Sequence, residues 1–367
     1  MGQFLEAFKG AQIELQQCPG NRERIFTLLR ITRLLASETL GALSMVPFGW
    51  RALQAHRALE SYSGQRDKLL SVSIARDVRY GAMPRNVMDI YVPASTAHIP
   101  EIDGSPLSDD TGLASASGRP VALFCHGGVW CSGEKWHYAP IATRLAQQGI
   151  LTCVLQYSLY PEARAQDMVA EVSSALSWTL DNITQYGGNP SKVTALGHSA
   201  GAQLLAMVLI HRARQASQQS PTKGRRKAAA QTAAAPDCRM PARFIGMAGV
   251  YDIGKHYEYE AARGVQYLST MERAMGGAAR FASQSPAAIL ARAAARSSGQ
   301  KTSEPAERFG RLHGEALAER VGFHRGGFAL GPSTAHAKAP MLFYTCSFTI
   351  SLALLSVLMI NGVFPDS

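Results

Sequence analysis

The chain has 367 residues, a length that suits one large domain with extensions or two small domains. Hydrophobic residues make up 46% of it and charged residues 17%, which excludes wholesale disorder because enough apolar surface is present to form a core. The formal net charge is +10, and part of this excess falls in residues 212–241, a basic stretch without interleaved aromatic residues. We therefore predict a solvated loop there and no nucleic-acid partner.

The six cysteines are too scattered for a zinc site, since none belongs to a CxxC pair. Cys125 and Cys153 lie in apolar runs and are predicted to be buried thiols of a protein from a reducing compartment. The first residues do not have the pattern of a secretory signal peptide. A bound metal ion is therefore not expected.

Residues 1–70 are predicted to form an N-terminal helical region that contacts a membrane. Residues 21–60 are basic and apolar with a helical pattern, and residues 34–48 are mostly apolar. Glu38 and Pro47 interrupt this stretch, which is also short for a membrane span. An interfacial amphipathic helix is therefore an equal alternative to a spanning helix.

Residues 71–346 are predicted to form the main domain, which opens with a β-hairpin. Residues 71–80 and 86–92 alternate in hydrophobicity and are rich in β-branched side chains, and a GAMP turn joins them. Stretches of low periodicity interrupt the domain and predict flexible insertions near 95–119, 212–241 and 288–337.

After the hairpin, apolar strands and helices alternate along the chain. Strands are predicted at 121–125, 151–155, 193–196, 244–247 and 340–346. Helices are predicted at 138–148, 167–186 and 200–211. This βαβα order predicts an α/β fold with a mainly parallel sheet and helices on both faces, because parallel strands need crossover connections.

The strongest functional pattern is Gly-His-Ser-Ala-Gly at residues 197–201. Ser199 follows a predicted strand and opens a predicted helix, which is the context of a nucleophile elbow. The sharp turn leaves little room beside the serine, which explains the flanking glycines. The helix N-terminus behind Ser199 favours developing negative charge. We therefore predict that Ser199 is the nucleophile of a serine hydrolase, with His198 beside it as a structural residue.

A second pattern, His-Gly-Gly-Val-Trp, follows another predicted strand. Loops of this kind supply backbone N–H groups to an oxyanion hole, and glycine lets the backbone approach the substrate carbonyl. Gly127 and Gly128 are therefore predicted to form the hole with the amide of Ala200, and Val129 is a further donor. Trp130 could line an apolar acyl pocket, although a buried tryptophan more often belongs to a core.

A serine nucleophile also needs a base and an orienting acid, but no metal or organic cofactor. In the usual order the acid follows the strand at 340–346 and a histidine comes later, yet no histidine follows His336. Asp252 is a weak candidate acid that is more easily explained as structural. The base is not identified, and the downstream candidates are His256, His313, His324 and His336.

The chain after the strand at 340–346 has two interpretations. Residues 341–360 contain no charged residue and have the length of a membrane-spanning helix. In the other interpretation the domain is truncated after that strand, and residues 347–367 are an apolar tail of uncertain origin. The second is favoured because residues 340–346 match a core strand, and it puts activity itself in question.

The motifs resemble those of the isoprenylcysteine α-carbonyl methylesterases, which are relatives of the carboxylesterases and kynurenine formamidases. The resemblance covers residues 25–290 and the strand at 340–346, interrupted by the insertions. The elbow and the Gly-Gly loop are common to many esterases. The segments at 181–190 and 249–256 are more specific to this family. The resembling segments are 84–91, 127–130, 181–190, 197–201, 249–256 and 283–286.

The resemblance implies an α/β-hydrolase fold and hydrolysis of the methyl ester on a C-terminal prenylated cysteine. It implies a location at endoplasmic reticulum or Golgi membranes, with a cytoplasmic location as the alternative. The same motifs also fit a different carboxylesterase, an arylformamidase, or a catalytically incomplete hydrolase that binds ligands. The implied contacts to a small ester substrate are Gly128, Val129, Trp130, His198, Ser199 and Ala200. The family often has Gln where this chain has His198.

Overall fold

The computed structural model describes residues 10–62, 72–94, 118–219 and 237–297. A seven-stranded sheet lies at its centre. The strands are β1 (Glu60–Ser61), β2 (Ser73–Arg79), β3 (Val87–Val92), β4 (Arg119–Cys125), β5 (Leu151–Leu155), β6 (Gly188–His198) and β7 (Arg243–Met247). The helices are α1 (Asn21–Ala58), α2 (Ala139–Gln147), α3 (Ala165–Asn182), α4 (Ala200–Gln219), α5 (Ile253–Ala262), α6 (Met271–Met275), α7 (Phe281–Gln284) and α8 (Pro286–Ser297).

The sheet has the strand order β1-β2-β3-β5-β4-β6-β7. β3 runs antiparallel to both of its neighbours, β2 and β5, so the predicted hairpin is confirmed. β4 pairs in parallel with β5 and β6, and β6 pairs in parallel with β7. Helices α2, α3 and α4 connect these parallel strands along the chain, as crossovers between parallel strands require. The sheet is therefore mixed but mainly parallel, as predicted.

Two hydrophobic cores lie on opposite faces of the sheet, because successive side chains of a strand point to opposite faces. In β4, Leu123 and Cys125 belong to the larger core and Phe124 to the smaller one. The larger core includes buried side chains of α3 and α4, and the smaller one includes buried alanines of α2. Helices therefore cover both faces. The predicted burial of the thiols of Cys125 and Cys153 is also confirmed.

Helix α4 corrects the predicted start of the insertion at 212–241. The helix continues to Gln219, so the first basic residues of that stretch are helical rather than part of a solvated loop. Arg212 is buried, and its guanidinium donates hydrogen bonds in α3 to the carbonyl oxygen of Ser173 (2.7 Å) and the hydroxyl of Ser177 (2.6 Å). Composition alone could not show this, because the bonds depend on a neighbouring helix.

Other predicted boundaries shift by a few residues, as is common at element ends. Strand β6 extends beyond both ends of the strand predicted at 193–196. The helix predicted at 167–186 divides into α3 and a 3₁₀ turn at Ile183–Tyr186. Helix α8 occupies the beginning of the stretch predicted as an insertion at 288–337, which is therefore partly helical.

Several sequence predictions lie outside the described residues. They are the insertions over 95–117, 220–236 and 298–337, the strand at 340–346, the apolar residues 341–360, the tail 347–367, and the candidate bases His313, His324 and His336.

Helix α1 forms most of the described part of the predicted N-terminal region, and it continues through Pro47 without ending there. Within the described part of the chain, no helix is both long enough and apolar enough to cross a membrane. Contact of residues 34–48 with a membrane stays a prediction. Large apolar side chains are exposed along α1, namely Ile25, Phe26, Leu28, Leu29, Leu35, Leu40, Leu43, Phe48 and Trp50.

Contacts near both ends hold α1 against the main domain. Near its start, Arg30 donates a hydrogen bond to the carbonyl oxygen of Gly264. Near its end, His56 Nε2 lies 2.8 Å from Oδ2 of Asp89, a fully buried residue of β3. The other carboxylate oxygen of Asp89 lies 3.1 Å from the ammonium of Lys135. The sheet thus holds a buried carboxylate whose partners come from α1 and from the 3₁₀ helix that begins at Lys135.

Candidate active site

Ser199 lies in the tight turn between β6 and α4. Its backbone φ is 51°, in the left-handed region that a β-carbon disfavours. The turn is fixed because the N–H of Ser199 donates to the carbonyl oxygen of Met247 in β7 (2.8 Å), and the carbonyl of Ser199 accepts from the N–H of Ala202 (3.1 Å). Ser199 is only 4% exposed. A strained serine on a strand-to-helix turn is the geometry of a nucleophile elbow.

Glycine is required on both sides of Ser199, because backbone atoms lie where a side chain would be. A β-carbon on Gly201 would lie 2.2 Å from the carbonyl oxygen of Cys125 and 2.4 Å from that of His126. One on Gly197 would lie 2.5 Å from the α-carbon of Ala202. These distances are far below van der Waals contact, so the end of β4 and the turn after β6 pack backbone against backbone.

The loop after β4 folds against this turn. A β-carbon on Gly127 would lie 2.9 Å from the β-carbon of Ser199. The next three residues, Gly128, Val129 and Trp130, have φ values of 137°, 51° and 58°. Positive φ at consecutive residues turns the backbone sharply away from the strand. The loop therefore stays beside the serine instead of extending β4.

Three backbone amides near the serine, those of Gly128, Val129 and Ala200, have no hydrogen-bond partner among the described residues. The N–H of Gly127 differs, because it donates to the hydroxyl of Tyr138 (3.2 Å). Unpaired N–H groups are unfavourable in a protein interior, and a group of them beside a nucleophile can stabilise an oxyanion. Within the described part of the chain, the loop thus offers unpaired N–H groups at Gly128 and Val129, whereas the N–H of Gly127, which was also predicted to lie at the hole, is already paired.

Trp130 belongs to the core behind the loop. It is 1% exposed, and its indole N–H donates to Oε1 of Gln203 in α4 (3.0 Å). The amide of Gln203 in turn donates to the carbonyl oxygen of Gln284 (2.8 Å). The indole is therefore enclosed, and it ties the loop to α4 rather than forming the wall of an acyl pocket.

His198, which precedes Ser199, contacts Tyr138 through its Nδ1 atom at 3.1 Å from the hydroxyl oxygen. Burial lowers the pKa of His198 below its usual value, so the neutral ring is favoured near neutral pH. The contact with Tyr138 thus holds the ring of His198 in place, as the structural role predicted for His198 requires.

The candidate acid Asp252 caps helix α5. Its Oδ1 accepts a hydrogen bond from the N–H of Lys255 (3.1 Å), a common N-cap contact. The candidate base His256 lies in the same helix, but its Nε2 is 3.7 Å from Oε1 of Glu260 instead. The structure therefore does not pair Asp252 with His256, and the structural explanation of Asp252 accounts for its position.

Glu260 is a feature that the sequence analysis missed. It is 5% exposed, and one carboxylate oxygen accepts a hydrogen bond from the hydroxyl of Ser269 (3.0 Å). Burial raises the pKa of Glu260 to about 7. Thr270, which follows Ser269, donates a hydrogen bond to the carbonyl oxygen of Val129 (3.2 Å). The segment around Ser269 therefore also contacts the loop after β4. The only local signal was the spacing of four residues from His256.

No described residue takes the position of a base for Ser199. His126, the nearest histidine of the loop, is fully buried, and its Nδ1 lies 2.9 Å from the carbonyl oxygen of Gly127. Burial lowers the pKa of His126 to about 3, which keeps the ring neutral. Within the described ranges, no group of three or more His, Cys, Asp or Glu side chains could hold a metal ion.

Comparison with known proteins gives the same fold. Residues 122–271 match a family model described as the alpha/beta hydrolase fold. The chain is 32% identical over 191 residues to a probable isoprenylcysteine alpha-carbonyl methylesterase of Oryza sativa subsp. japonica, covering 50% of this chain and 40% of the relative. It is 32% identical over 143 residues to the isoprenylcysteine alpha-carbonyl methylesterase of Arabidopsis thaliana, covering 39% of this chain and 29% of the relative.

A kynurenine formamidase of Danio rerio is 28% identical over 133 residues, which cover 36% of this chain and 38% of the relative. The resemblance inferred from the sequence motifs is therefore confirmed, and so is the α/β-hydrolase fold. The chain spans less than half the length of these curated relatives. Their names describe what this chain is similar to.

Proposed function

Because the domain has the α/β-hydrolase fold and the chain is similar to isoprenylcysteine methylesterases, we propose that it is a serine carboxylic-ester hydrolase with Ser199 as nucleophile. The observation that carries this proposal is the φ of 51° at Ser199, in a turn flanked by three amides that have no hydrogen-bond partner among the described residues. Strain of this kind persists only where the surroundings fix it, and it clusters at active sites.

In the proposed mechanism, Oγ of Ser199 attacks the ester carbonyl carbon, and the carbonyl oxygen becomes an oxyanion. The N–H groups of Gly128, Val129 and Ala200 donate hydrogen bonds to it, and the N-terminus of α4 adds a favourable field. The alcohol leaves to give an acyl-enzyme, and water attacks the acyl carbon to release the carboxylate and restore the serine. These steps use no metal or organic cofactor.

A base must accept the proton of Ser199 in the first step and pass it to the leaving alcohol, and it must accept a proton of water in the second step and pass it to Oγ of Ser199. The described residues do not supply one beside the serine. The candidates that remain are His313, His324 and His336. Without such a base the oxyanion donors alone would leave weak residual catalysis, and the chain would act as a binding protein.

The proposed substrate is the methyl ester of a prenylated cysteine, from which methanol leaves. The similarity to isoprenylcysteine methylesterases supports this choice over a soluble ester. The exposed apolar side chains of α1, which alternate with arginines such as Arg33 and Arg51, support contact with an anionic membrane where a prenyl chain would reside. By the same resemblance, the membrane is that of the endoplasmic reticulum or Golgi.

The purified full chain and a Ser199→Ala control should be compared for methanol release from farnesylcysteine methyl ester. We expect release by the wild-type chain and none by the control, because only the nucleophile differs. Hydrolysis of a short nitrophenyl ester should be slower than that of the prenylated ester. If a folded wild-type chain hydrolyses neither ester, the carboxylic-ester hydrolase proposal is wrong, and an arylformamidase or a catalytically incomplete binding protein remains.

An arylformamidase is the second candidate function. It is favoured by the His-Gly-Gly-Val-Trp loop and by the 28% identity to a kynurenine formamidase. The chemistry at Ser199 would be the same, with an N-formyl amine as substrate in place of the methyl ester. Turnover of N-formylkynurenine well above that of the prenylated ester would select this function.

A further inference from the structure

Tyr138 links the two loops that build the proposed oxyanion hole. Its hydroxyl oxygen lies 3.2 Å from the backbone nitrogen of Gly127 and 3.1 Å from Nδ1 of His198. Gly127 belongs to the loop after β4, whereas His198 ends β6 directly before Ser199. One hydroxyl group therefore contacts both strand ends beside the nucleophile.

The hydrogen bonds of this hydroxyl can be assigned by counting donors and acceptors. The N–H of Gly127 can only donate, so the oxygen of Tyr138 accepts from it. The hydroxyl hydrogen then has one acceptor among the described residues, which is Nδ1 of His198. All three groups are satisfied only when Nδ1 carries no hydrogen, and a neutral ring then carries its hydrogen on Nε2.

The position of Tyr138 is itself well fixed. Its ring packs against Phe124 of β4, with 4.7 Å between ring centroids. Tyr138 ends the 3₁₀ helix that begins at Lys135. The ammonium of Lys135 lies 2.9 Å from Oδ1 of Asp77 and 3.1 Å from Oδ1 of the buried Asp89. Both ends of this short helix are therefore attached to the sheet.

We propose that Tyr138 is a positioning residue of the oxyanion hole. Its hydroxyl fixes the peptide before Gly127 and holds His198 as the neutral Nε2–H tautomer, which keeps the amides of Gly128 and Val129 aligned with Ser199. Tyr138 does not touch the reacting atoms. The inference rests on the proposed hydrolase function, because alignment matters only if an oxyanion forms there.

The kinetic test is Tyr138→Phe, which removes one oxygen atom and keeps the ring. We expect kcat to fall about tenfold while KM stays within about twofold, because donors misaligned for the oxyanion affect the transition state more than the bound ester. Tyr80→Phe is the matched control, since the hydroxyl of Tyr80 is also a buried hydrogen-bonding group but donates to the carbonyl oxygen of Gln156 instead of joining the loop after β4 to His198. The control should keep the kcat of the wild-type chain.

The tautomer of His198 is a second observable, and it would not change if Tyr138 only filled space in the core. Nitrogen NMR of the full chain with labelled histidine distinguishes Nδ1–H from Nε2–H rings, and His198→Asn identifies the resonances of this residue. We expect Nε2–H in the wild-type chain and in Tyr80→Phe, and a loss of this pure form in Tyr138→Phe. A hydrogen on Nδ1 in the wild-type chain would overturn the proposal.

The two measurements separate failure of this inference from failure of the proposed function. If the wild-type chain has no hydrolase activity, the proposed function is wrong, and the tautomer change alone then decides whether Tyr138 holds the two loops. If the wild-type chain is active and Tyr138→Phe keeps both its kcat and its tautomer, the positioning role is wrong while the hydrolase function stands.

Discussion

The turn between β6 and α4 and the middle of α1 are constrained in opposite ways. At the turn, Ser199 is 4% exposed, and a β-carbon added to either flanking glycine would lie closer than van der Waals distance to backbone atoms. In α1, Leu40 is 69% exposed and Phe48 is 62% exposed. Both regions carry recognisable sequence patterns, yet only the first has its contacts within the described domain.

This difference shows where a sequence pattern is enough to infer a structure. The turn is determined by sterics between neighbouring backbone segments, so a glycine pattern of a few residues reports it. The exposed face of α1 depends on whatever binds it, and that partner cannot be identified from the helix itself. Substitutions at the turn should therefore change folding, whereas substitutions on α1 should change binding.

The largest effect is expected from Gly201→Ala. The new β-carbon would meet two backbone carbonyl oxygens that cannot move without displacing β4, so we expect a loss of more than about 3 kcal/mol of unfolding free energy. Gly254→Ala is the matched control, because its β-carbon would come no closer than 3.5 Å to Asp252. Urea unfolding should show the control equal to wild type or up to about 1 kcal/mol more stable, as alanine favours a helix.

If Gly201→Ala unfolds at the same urea concentration as the wild-type chain, the close backbone contact between β4 and the turn is absent. The turn is then no more constrained than the middle of α1.

Asp89→Asn tests the buried carboxylate that attaches the end of α1 to the sheet. The change leaves Lys135 and His56 beside a neutral amide, and breaking a buried ion pair costs about 3–5 kcal/mol. Burial alone would raise the pKa of Asp89, but the bonds from His56 and Lys135 outweigh it and hold the pKa below its usual value. The carboxylate thus stabilises the fold above the unfolded-state pKa, and this contribution is lost as pH falls through the folded-state pKa.

Urea unfolding at neutral and acidic pH checks this prediction. The difference between wild type and Asp89→Asn should shrink as the pH is lowered towards the acidic limit. An equal difference at all pH values would mean that the charge of Asp89 does not contribute.

Glu260→Gln tests a buried carboxyl group in helix α5. Because burial raises the pKa of Glu260 from 4.5 to about 7, the folded chain binds more protons than the unfolded chain in this window. Its contribution to stability is therefore complete below pH 4.5 and is lost as the pH rises to about 7. The loss is on the order of 3 kcal/mol. Glu260→Gln should flatten the fall of stability between about pH 5 and 8, as followed by thermal unfolding.

A pH profile of Glu260→Gln parallel to that of the wild-type chain would contradict the raised pKa. It would show instead that His256, 3.7 Å away, holds Glu260 ionised through the whole window.

A smaller effect is expected from relieving the strain at the nucleophile. Ser199→Gly and Ser199→Ala both remove the hydroxyl, but only glycine adopts a φ of 51° without a steric penalty. We expect the glycine variant to be about 1 kcal/mol more stable than the alanine variant in urea. Equal stability would mean that the turn relaxes to negative φ when the hydroxyl is absent.

The turn, the loop after β4 and most strands could be predicted from the sequence, because each carries a local pattern of glycines or apolar residues. The contacts of Tyr138 could not, since its hydroxyl meets residues 11 and 60 positions away. Buried Arg212 was also missed, since its partner Ser173 lies 39 positions away in another helix. Such contacts have no local pattern.

Charged side chains were the other source of error. Glu260 follows other charged and polar residues in α5, and its burial is evident only from the structure, in which Ser269 packs against it. Arg212 was placed in a loop because basic residues surround it. Composition reports the average exposure of a stretch, whereas burial of one ionisable group depends on a specific partner.

The smallest effect on folding is expected from Leu40→Ser on α1. The side chain is largely exposed, so unfolding free energy should change by less than about 0.5 kcal/mol. Binding of the full chain to phosphatidylserine vesicles should weaken severalfold, because an apolar anchor is lost. Leu53→Ala is the control, since its 8% exposure predicts a loss of about 2–4 kcal/mol in stability. Unchanged vesicle binding of Leu40→Ser would mean that this face of α1 does not contact lipid.

The most direct test of the proposed active site is labelling of the folded full chain with a fluorophosphonate probe, followed by mass spectrometry of its peptides. An activated serine forms a covalent bond to the phosphorus and expels fluoride, whereas an ordinary serine does not react. We predict a single label on Ser199 that is absent in Ser199→Ala. A folded chain that takes up no label, or that takes it on another serine, would contradict the assignment of Ser199 as the nucleophile.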